Sequence, residues 1–312
     1  MCRARCSHFL ALAMATQLCA AVLADTPIQR NAAGFGADDS LGAANHLSNA
    51  GAVAASRLVT EGKRYALGLV SSRETPVWGD RKYAIEVIGL PIPGTDLILA
   101  HDDRVHTHLG IGTQIDGLGH VGLGGKFYNG LTAADFAAPD GLLKLGTEHI
   151  PPVVTRGVLL DVTHLLGVER LGPSEAITAE ILKKTAKAQG VSIGRGDVVL
   201  VHTGWMSIMD SDPETYIDRQ PGLDAGAAEY LASAGVVAIG SDTGALEVQP
   251  SADPNHTVPV HGLLLANYGV YILENIVTRE LAADRAWEFM FVLGQPRLAG
   301  SVQAIINPVA IR

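Results

Sequence analysis

Histidines crowd two short stretches of this chain. Six of its 11 histidines are His101, His106, His108, His120, His256 and His261. The first stretch runs His106-Thr107-His108-Leu109-Gly110-Ile111-Gly112-Thr113-Gln114-Ile115-Asp116-Gly117-Leu118-Gly119-His120. If Gln114 to Asp116 is a strand, its side chains alternate and Gln114 and Asp116 share a face. An amide oxygen and a carboxylate two residues apart can then grip one cation from the same side. His120 returns four residues later, after a Gly117-Leu118-Gly119 turn. The second stretch, His256-Thr257-Val258-Pro259-Val260-His261, leads into the apolar run Val270-Tyr271-Ile272-Leu273-Glu274-Asn275. A glutamate in such a run is costly to bury alone, so Glu274 calls for a cation or donor beside it. The same residues also fit a structural ion pair among hydrogen-bonded core histidines, and their spacing alone does not choose between the two.

The elements that must carry these residues alternate along the chain. Apolar runs at Val153–Asp161 and Asp197–His202 have the look of buried strands, as do Val236–Ile239, Gly269–Ile276, Trp287–Leu293 and Val302–Ile306. Shorter β-type runs are expected at Tyr65–Val70, Tyr83–Gly89 and Asp96–Ala100. Helical spacing marks Ala52–Glu61, Ile177–Gln189 with Gly190 as its stop, and Ala225–Ser233. The stretch Leu109–Gly130 is glycine-dense, which suits close backbone approach and not a regular helix. Interspersed strands and helices, without a repeat or a long linker, predict one α/β domain over residues 25–312.

Composition removes several function classes. The chain has 312 residues, of which 47% are hydrophobic, enough for a large core. With 23 Lys and Arg against 32 Asp and Glu, its formal charge is −9. Such a surface does not neutralise phosphates, and 6 Phe, 3 Trp and 7 Tyr make a poor stacking platform, so nucleic acid is excluded as a partner. Cys2, Cys6 and Cys19 all fall in the first 24 residues. There, Arg3 and Arg5 precede an apolar run from Phe9 that ends at Ala24, before Asp25-Thr26-Pro27. This is the pattern of a Sec-type signal peptide, residues 1–24, cut after Ala24. A periplasmic or secreted chain without cysteine is expected, and with it no thiolate nucleophile. No later run reaches the roughly 18 apolar residues that span a membrane. No Gly-x-Ser-x-Gly elbow is present either, which argues against a covalent serine route.

The segment Gly112-Thr113-Gln114-Ile115-Asp116-Gly117-Leu118-Gly119-His120 resembles the signature of the metal-dependent cyclase superfamily, His-x-Gly-Thr-His-x-Asp-x-x-x-His. Three later segments are similar to that family as well: Arg195 to Trp205, Pro221 to Thr243, and His261 to Asn275. Together they cover most of residues 40–310. The resemblance implies a swivelling β/β/α fold, commonly a homodimer, and hydrolysis of a small amide, cyclic amide or lactone, as in kynurenine formamidase and isatin hydrolase. It implies Asp116, His261 and Glu274 as ligands of a divalent ion, Zn²⁺ or Mn²⁺, with His120 as general acid and base. The chain departs from the signature at two ligand positions, where Gly110 and Gln114 stand in place of histidines. Gln114 offers a weaker neutral oxygen, and His106 or His108 could substitute. Trp78 stands where the family places an aromatic substrate contact. Two rivals follow from the departures: a ligand-binding protein that has lost turnover, and a cyclase or lyase that runs the same carbonyl chemistry without water attack.

Overall fold

A computed structural model describes residues 34–94 and 99–312. The signal-peptide reading of residues 1–24 lies outside the described residues. Among them, no helix is long and apolar enough to cross a membrane.

One nine-stranded sheet organises the molecule. Its strands, with a separate ribbon included in the numbering, are β1 (Arg64–Ala66), β2 (Tyr83–Pro91), β3 (Leu99–Thr107), β4 (Gln114–Asp116), β5 (Val153–Asp161), β6 (Val198–His202), β7 (Ala238–Ser241), β8 (Tyr271–Glu274), β9 (Glu288–Leu293), β10 (Gln303–Ile305) and β11 (Val309–Ile311). The order across the large sheet is β1-β11-β9-β5-β6-β7-β8-β4-β10. Strands β5, β6, β7 and β8 run parallel, and antiparallel strands flank them on both sides. Where the parallel strands pair, as over Val158–Leu160 and Val198–Val201, they are apolar because both faces are covered. Val158, Leu159, Leu160, Val199, Leu200 and Ile239 are wholly buried. Each such side chain contributes roughly 1.5–3 kcal/mol of burial. This centre is stiff, and it fixes where β8 and its neighbour β4 lie.

Helices α1 (Asn49–Ser56), α2 (Ala179–Gln189) and α3 (Ala225–Ser233) supply much of the covering. Both α1 and α2 pack on β5, and α2 also packs on α3. Local chemistry sets their ends. Thr178 accepts a hydrogen bond from the Ile181 N–H at 3.3 Å, and Gly190 closes α2 with φ of 71°. Asp224 accepts from the Ala227 N–H at 2.7 Å. The first helix starts earlier than its apolar spacing predicts: Ser48 accepts from the Gly51 N–H at 3.0 Å and caps it, so it spans Asn49–Ser56 and not Ala52–Glu61.

Among the described residues, strands β2 and β3 pair only with each other, as an antiparallel ribbon apart from the large sheet, in register Tyr83↔Thr107 to Pro91↔Leu99. Ile85, Val87 and Val105 lie on one face of it and are exposed. The expected strand Asp96–Ala100 starts among residues outside the description; the described part, from Leu99, runs on to Thr107.

Candidate metal and catalytic site

Strand β4 lies between β8 and β10, and register does the rest. Gln114 stands opposite Glu274, and Asp116 stands opposite Gln303. Alternation places all four on one face of the sheet. After Asp116 the chain turns through Gly117, where an added Cβ would lie 2.7 Å from the Val302 carbonyl oxygen. Only glycine lets the turn approach β10 this closely, and the turn brings His120 back over Asp116. His261 arrives from elsewhere, at the end of the short helix Pro259–His261 that runs into a π-helix over Gly262–Tyr268.

The cluster of three carboxylates and two imidazoles that results is almost dry. Asp116, Gln114, His261, Glu274 and Glu247 are all buried, while His120 is half-buried. His261 Nδ1 bonds Glu247 Oε2 at 2.5 Å. Its Nε2 lies 3.1 Å from Glu274 Oε1 and 3.3 Å from Asp116 Oδ2. Gln114 Nε2 donates to Glu274 Oε2 at 2.8 Å and to Asp116 Oδ1 at 3.1 Å. Gln303 Nε2 donates to Asp116 Oδ1 at 2.7 Å and sits 3.5 Å from His120 Nε2.

The charges follow from these contacts. Burial raises the cost of charging Asp116, but His120, His261 and Gln303 outweigh it and bring its carboxyl down to about 2. Burial, reinforced by the nearby Asp116 charge, pushes Glu274 up to about 7. Burial would lower His261, yet Glu247, Asp116 and Glu274 hold it protonated well above the ordinary histidine range. Burial pulls His120 below its ordinary value, with His261 and Arg81 adding to the effect and Asp116 opposing it. His120 is therefore a neutral imidazole near pH 7, able to take up a proton.

A metal ion fits one place in this cluster. Asp116, His120 and His261 each offer a ligand atom, and these atoms all lie within 4.8 Å of one another. Asp116 Oδ2 is buried and makes no hydrogen bond; its polar neighbour is His261 Nε2 at 3.3 Å, so both atoms could ligate one ion once the ring has lost its proton. With imidazole nitrogen and carboxylate oxygen together, the donor set suits Zn²⁺ or Mn²⁺. His261 also has the support expected of a ligand, because Glu247 fixes its ring through Nδ1.

Not every expected residue is brought in. Gln114 faces two carboxylates, so its amide nitrogen points at them and it bridges Asp116 and Glu274 as a donor in place of offering its oxygen to an ion. His108 is exposed and accepts a hydrogen bond from the Lys82 backbone N–H at 2.9 Å, and it is not among the residues that meet at the cluster. His106 lies exposed on the ribbon. Trp78 packs on the small cluster of Trp205, Tyr216 and Ile217, and its indole N–H donates to the Gly244 carbonyl at 3.0 Å. Asp242 holds a turn, accepting from Thr203 and Gly204, and lies 3.3 Å from His202.

Three residues of the cluster were not foreseen: Glu247, Gln303 and Arg81. Glu247 carried a signal, a carboxylate in the apolar stretch Gly244-Ala245-Leu246-Glu247-Val248, similar to that of Glu274. Gln303 became visible only through strand pairing. Arg81 reaches the cluster from just before β2, donating to the Gly110 carbonyl at 2.6 Å.

Comparison with known proteins places the chain in a family. The Cyclase family model matches residues 19–248, and the chain belongs to that family. A crystal structure described as a novel cyclase superposes with a TM-score of 0.82 at 28% identity, covering 91% of this chain and 100% of the other. An isatin hydrolase bound to the product analogue thioisatinate superposes with a TM-score of 0.61 at 17% identity, over 85% and 98% of the two chains. A protein described as a predicted metal-dependent hydrolase, from Bacillus stearothermophilus, gives a TM-score of 0.53 at 19% identity, over 80% and 97%. No curated protein sequence matches the chain. The mixed α/β fold is thus that of the cyclase family, in keeping with the fold its motifs imply. His261 and Glu274 lie beyond the part that the family model matches.

Proposed function

We propose that the chain is a metal-dependent hydrolase of a small amide, cyclic amide or lactone. The observation that carries this reading is the meeting of ligand atoms of Asp116, His120 and His261 within 4.8 Å, with one Asp116 oxygen buried and without a hydrogen bond. Asp116 and His261 would hold the ion, Glu274 lies against His261 to complete the set, and Glu247 orients the ring of His261. A divalent ion there makes water a better nucleophile at neutral pH and polarises a carbonyl.

The chain's own residues do the remaining work. His120 is the half-buried member of the group, and so the one that faces an entering substrate. Held neutral by burial, its imidazole takes a proton from the attacking water and returns it to the departing nitrogen or oxygen. Gln303, which bonds Asp116 and approaches His120, limits how each can turn. Gln114 bridges Asp116 and Glu274 by donating to both, which offsets repulsion between them when both are charged.

Export with removal of residues 1–24 and assembly as a homodimer belong to the same reading. The exposed Ile85, Val87 and Val105 on one ribbon face supply an apolar surface for the second copy. Intact mass of the exported protein and sedimentation would test these two points. Hydrolysis is tested by adding Zn²⁺ or Mn²⁺ to the purified protein and screening formanilides, cyclic imides and lactones for ring opening or deformylation. Turnover that a chelator abolishes supports the proposal. Ligand binding without turnover favours the non-catalytic rival, and conversion without uptake of water favours the cyclase or lyase.

A further inference from the structure

Arg81 stands in an unusual position for a cation in so acidic a chain. The residue is half-buried, its guanidinium reaches Gly110 beside the cluster, and it carries five N–H donors. One of them, on one terminal nitrogen, donates to the Gly110 carbonyl oxygen at 2.6 Å. Among the described residues it makes no salt bridge, although the sequence holds 32 acidic residues. Most of its hydrogen-bonding capacity is therefore uncommitted, in a place where water has been partly removed.

The surroundings show what that capacity faces. A Cβ built on Gly110 would lie 2.6 Å from Gln303 Oε1 and 2.9 Å from the same terminal nitrogen of Arg81. Gly110 thus leaves a gap that the Gln303 amide and the Arg81 guanidinium fill together. Gln303 in turn bonds Asp116 at 2.7 Å and lies 3.5 Å from His120. Arg81, Gln303, Asp116 and His120 are contiguous, and Arg81 also exerts its charge on His120 and Glu274. A planar guanidinium with free parallel donors matches a carboxylate in two simultaneous bonds.

We infer that Arg81 is a substrate-binding residue, and that the substrate is a small carboxylate-bearing carbonyl compound whose anionic group pairs with the Arg81 guanidinium while its scissile bond lies at His120. This rests on the proposed hydrolase reading for the scissile bond but not for the anion site itself. A charge-assisted, partly desolvated pair of this kind should favour an anion over its neutral isostere by on the order of 10- to 100-fold.

The test uses two probe pairs with the folded, full-length protein, both as isolated and loaded with Zn²⁺. Calorimetry compares benzoate with benzamide, and rate measurements compare 2-formamidobenzoate with formanilide. The wild type should bind benzoate at least about tenfold more tightly than benzamide, Arg81→Met should reduce that preference to less than about threefold, and Arg81→Lys should retain part of it. A wild type without preference for benzoate overturns the inference whatever the variants do. So does an Arg81→Met protein that keeps the preference, since the anion would then be held by the ion or by another residue. If benzoate selectivity follows Arg81 but neither formamide is hydrolysed, the anion site stands and the hydrolase reading falls. If both formamides are hydrolysed at equal kcat/KM and Arg81→Met alters neither, the hydrolase reading stands and the anion site falls.

Discussion

Glu247→Gln changes one charge and almost no volume, which makes it a sharp probe of how His261 is prepared for an ion. Glu247 is 1% exposed, and its Oε2 lies 2.5 Å from His261 Nδ1. Glutamine can still accept from Nδ1–H through its amide oxygen, so the ring keeps its orientation and loses the carboxylate behind it. Losing such an outer partner typically weakens a metal site about 10- to 100-fold, or roughly 1.4–2.7 kcal/mol. A second effect opposes the first. Glu247 also helps hold His261 protonated, and the ring must lose that proton before it can ligate, so removing the charge makes deprotonation easier. The net loss should lie at the lower end, near tenfold. Titration of metal-free protein with Zn²⁺ against a competing chelator measures it, with circular dichroism to verify folding. A Glu247→Gln protein that binds Zn²⁺ within twofold of wild type would refute the reasoning, because His261 would then be no ligand or would need no carboxylate behind it.

Two more outcomes are expected. His120→Ala should lose about 10²–10⁴-fold in kcat and still bind its ion, as measured by rate and elemental analysis on one preparation; full rate restored by excess metal would mark His120 as a ligand and not a base. His202 supplies a pH test away from the site: burial would lower its pKa, but Asp242 and Asp161 raise it above 6.5. Its stabilising contribution is therefore present below the unfolded value near 6.5 and fades as pH rises through the higher folded value. Urea unfolding across pH 6–9 should show wild-type stability declining more steeply than that of His202→Gln, and parallel profiles would contradict this.

What could be read from the sequence divides along a physical line. Strand β5 is legible because most of it, Val153-Val154 and Val158-Leu159-Leu160, is apolar as a buried strand must be, and α3 because its spacing is helical and uninterrupted. The step from Gln114 to Asp116 and the glycine turn to His120 are local, so their shared face follows from strand alternation. Partners joined by pairing were not local. Gln303 meets Asp116 only because β10 lies beside β4, nearly two hundred residues along the chain, and Arg81 reaches Gly110 from another element again. His108 misled for the same reason: two residues from Gly110 in sequence, it lies where the chain leaves the ribbon, past the end of β3. Gln114 was correctly placed, but its role turned on its neighbours. Between two carboxylates an amide presents nitrogen, and spacing alone does not reveal that.

The central claim is that this cluster holds a single divalent ion on Asp116 and His261. Elemental analysis of protein equilibrated with Zn²⁺ or Mn²⁺ and then desalted tests it most directly, with wild type and Asp116→Ala side by side. One ion per wild-type chain and almost none in Asp116→Ala is the predicted result. Two ions per chain, none at all, or equal content in both proteins would contradict it.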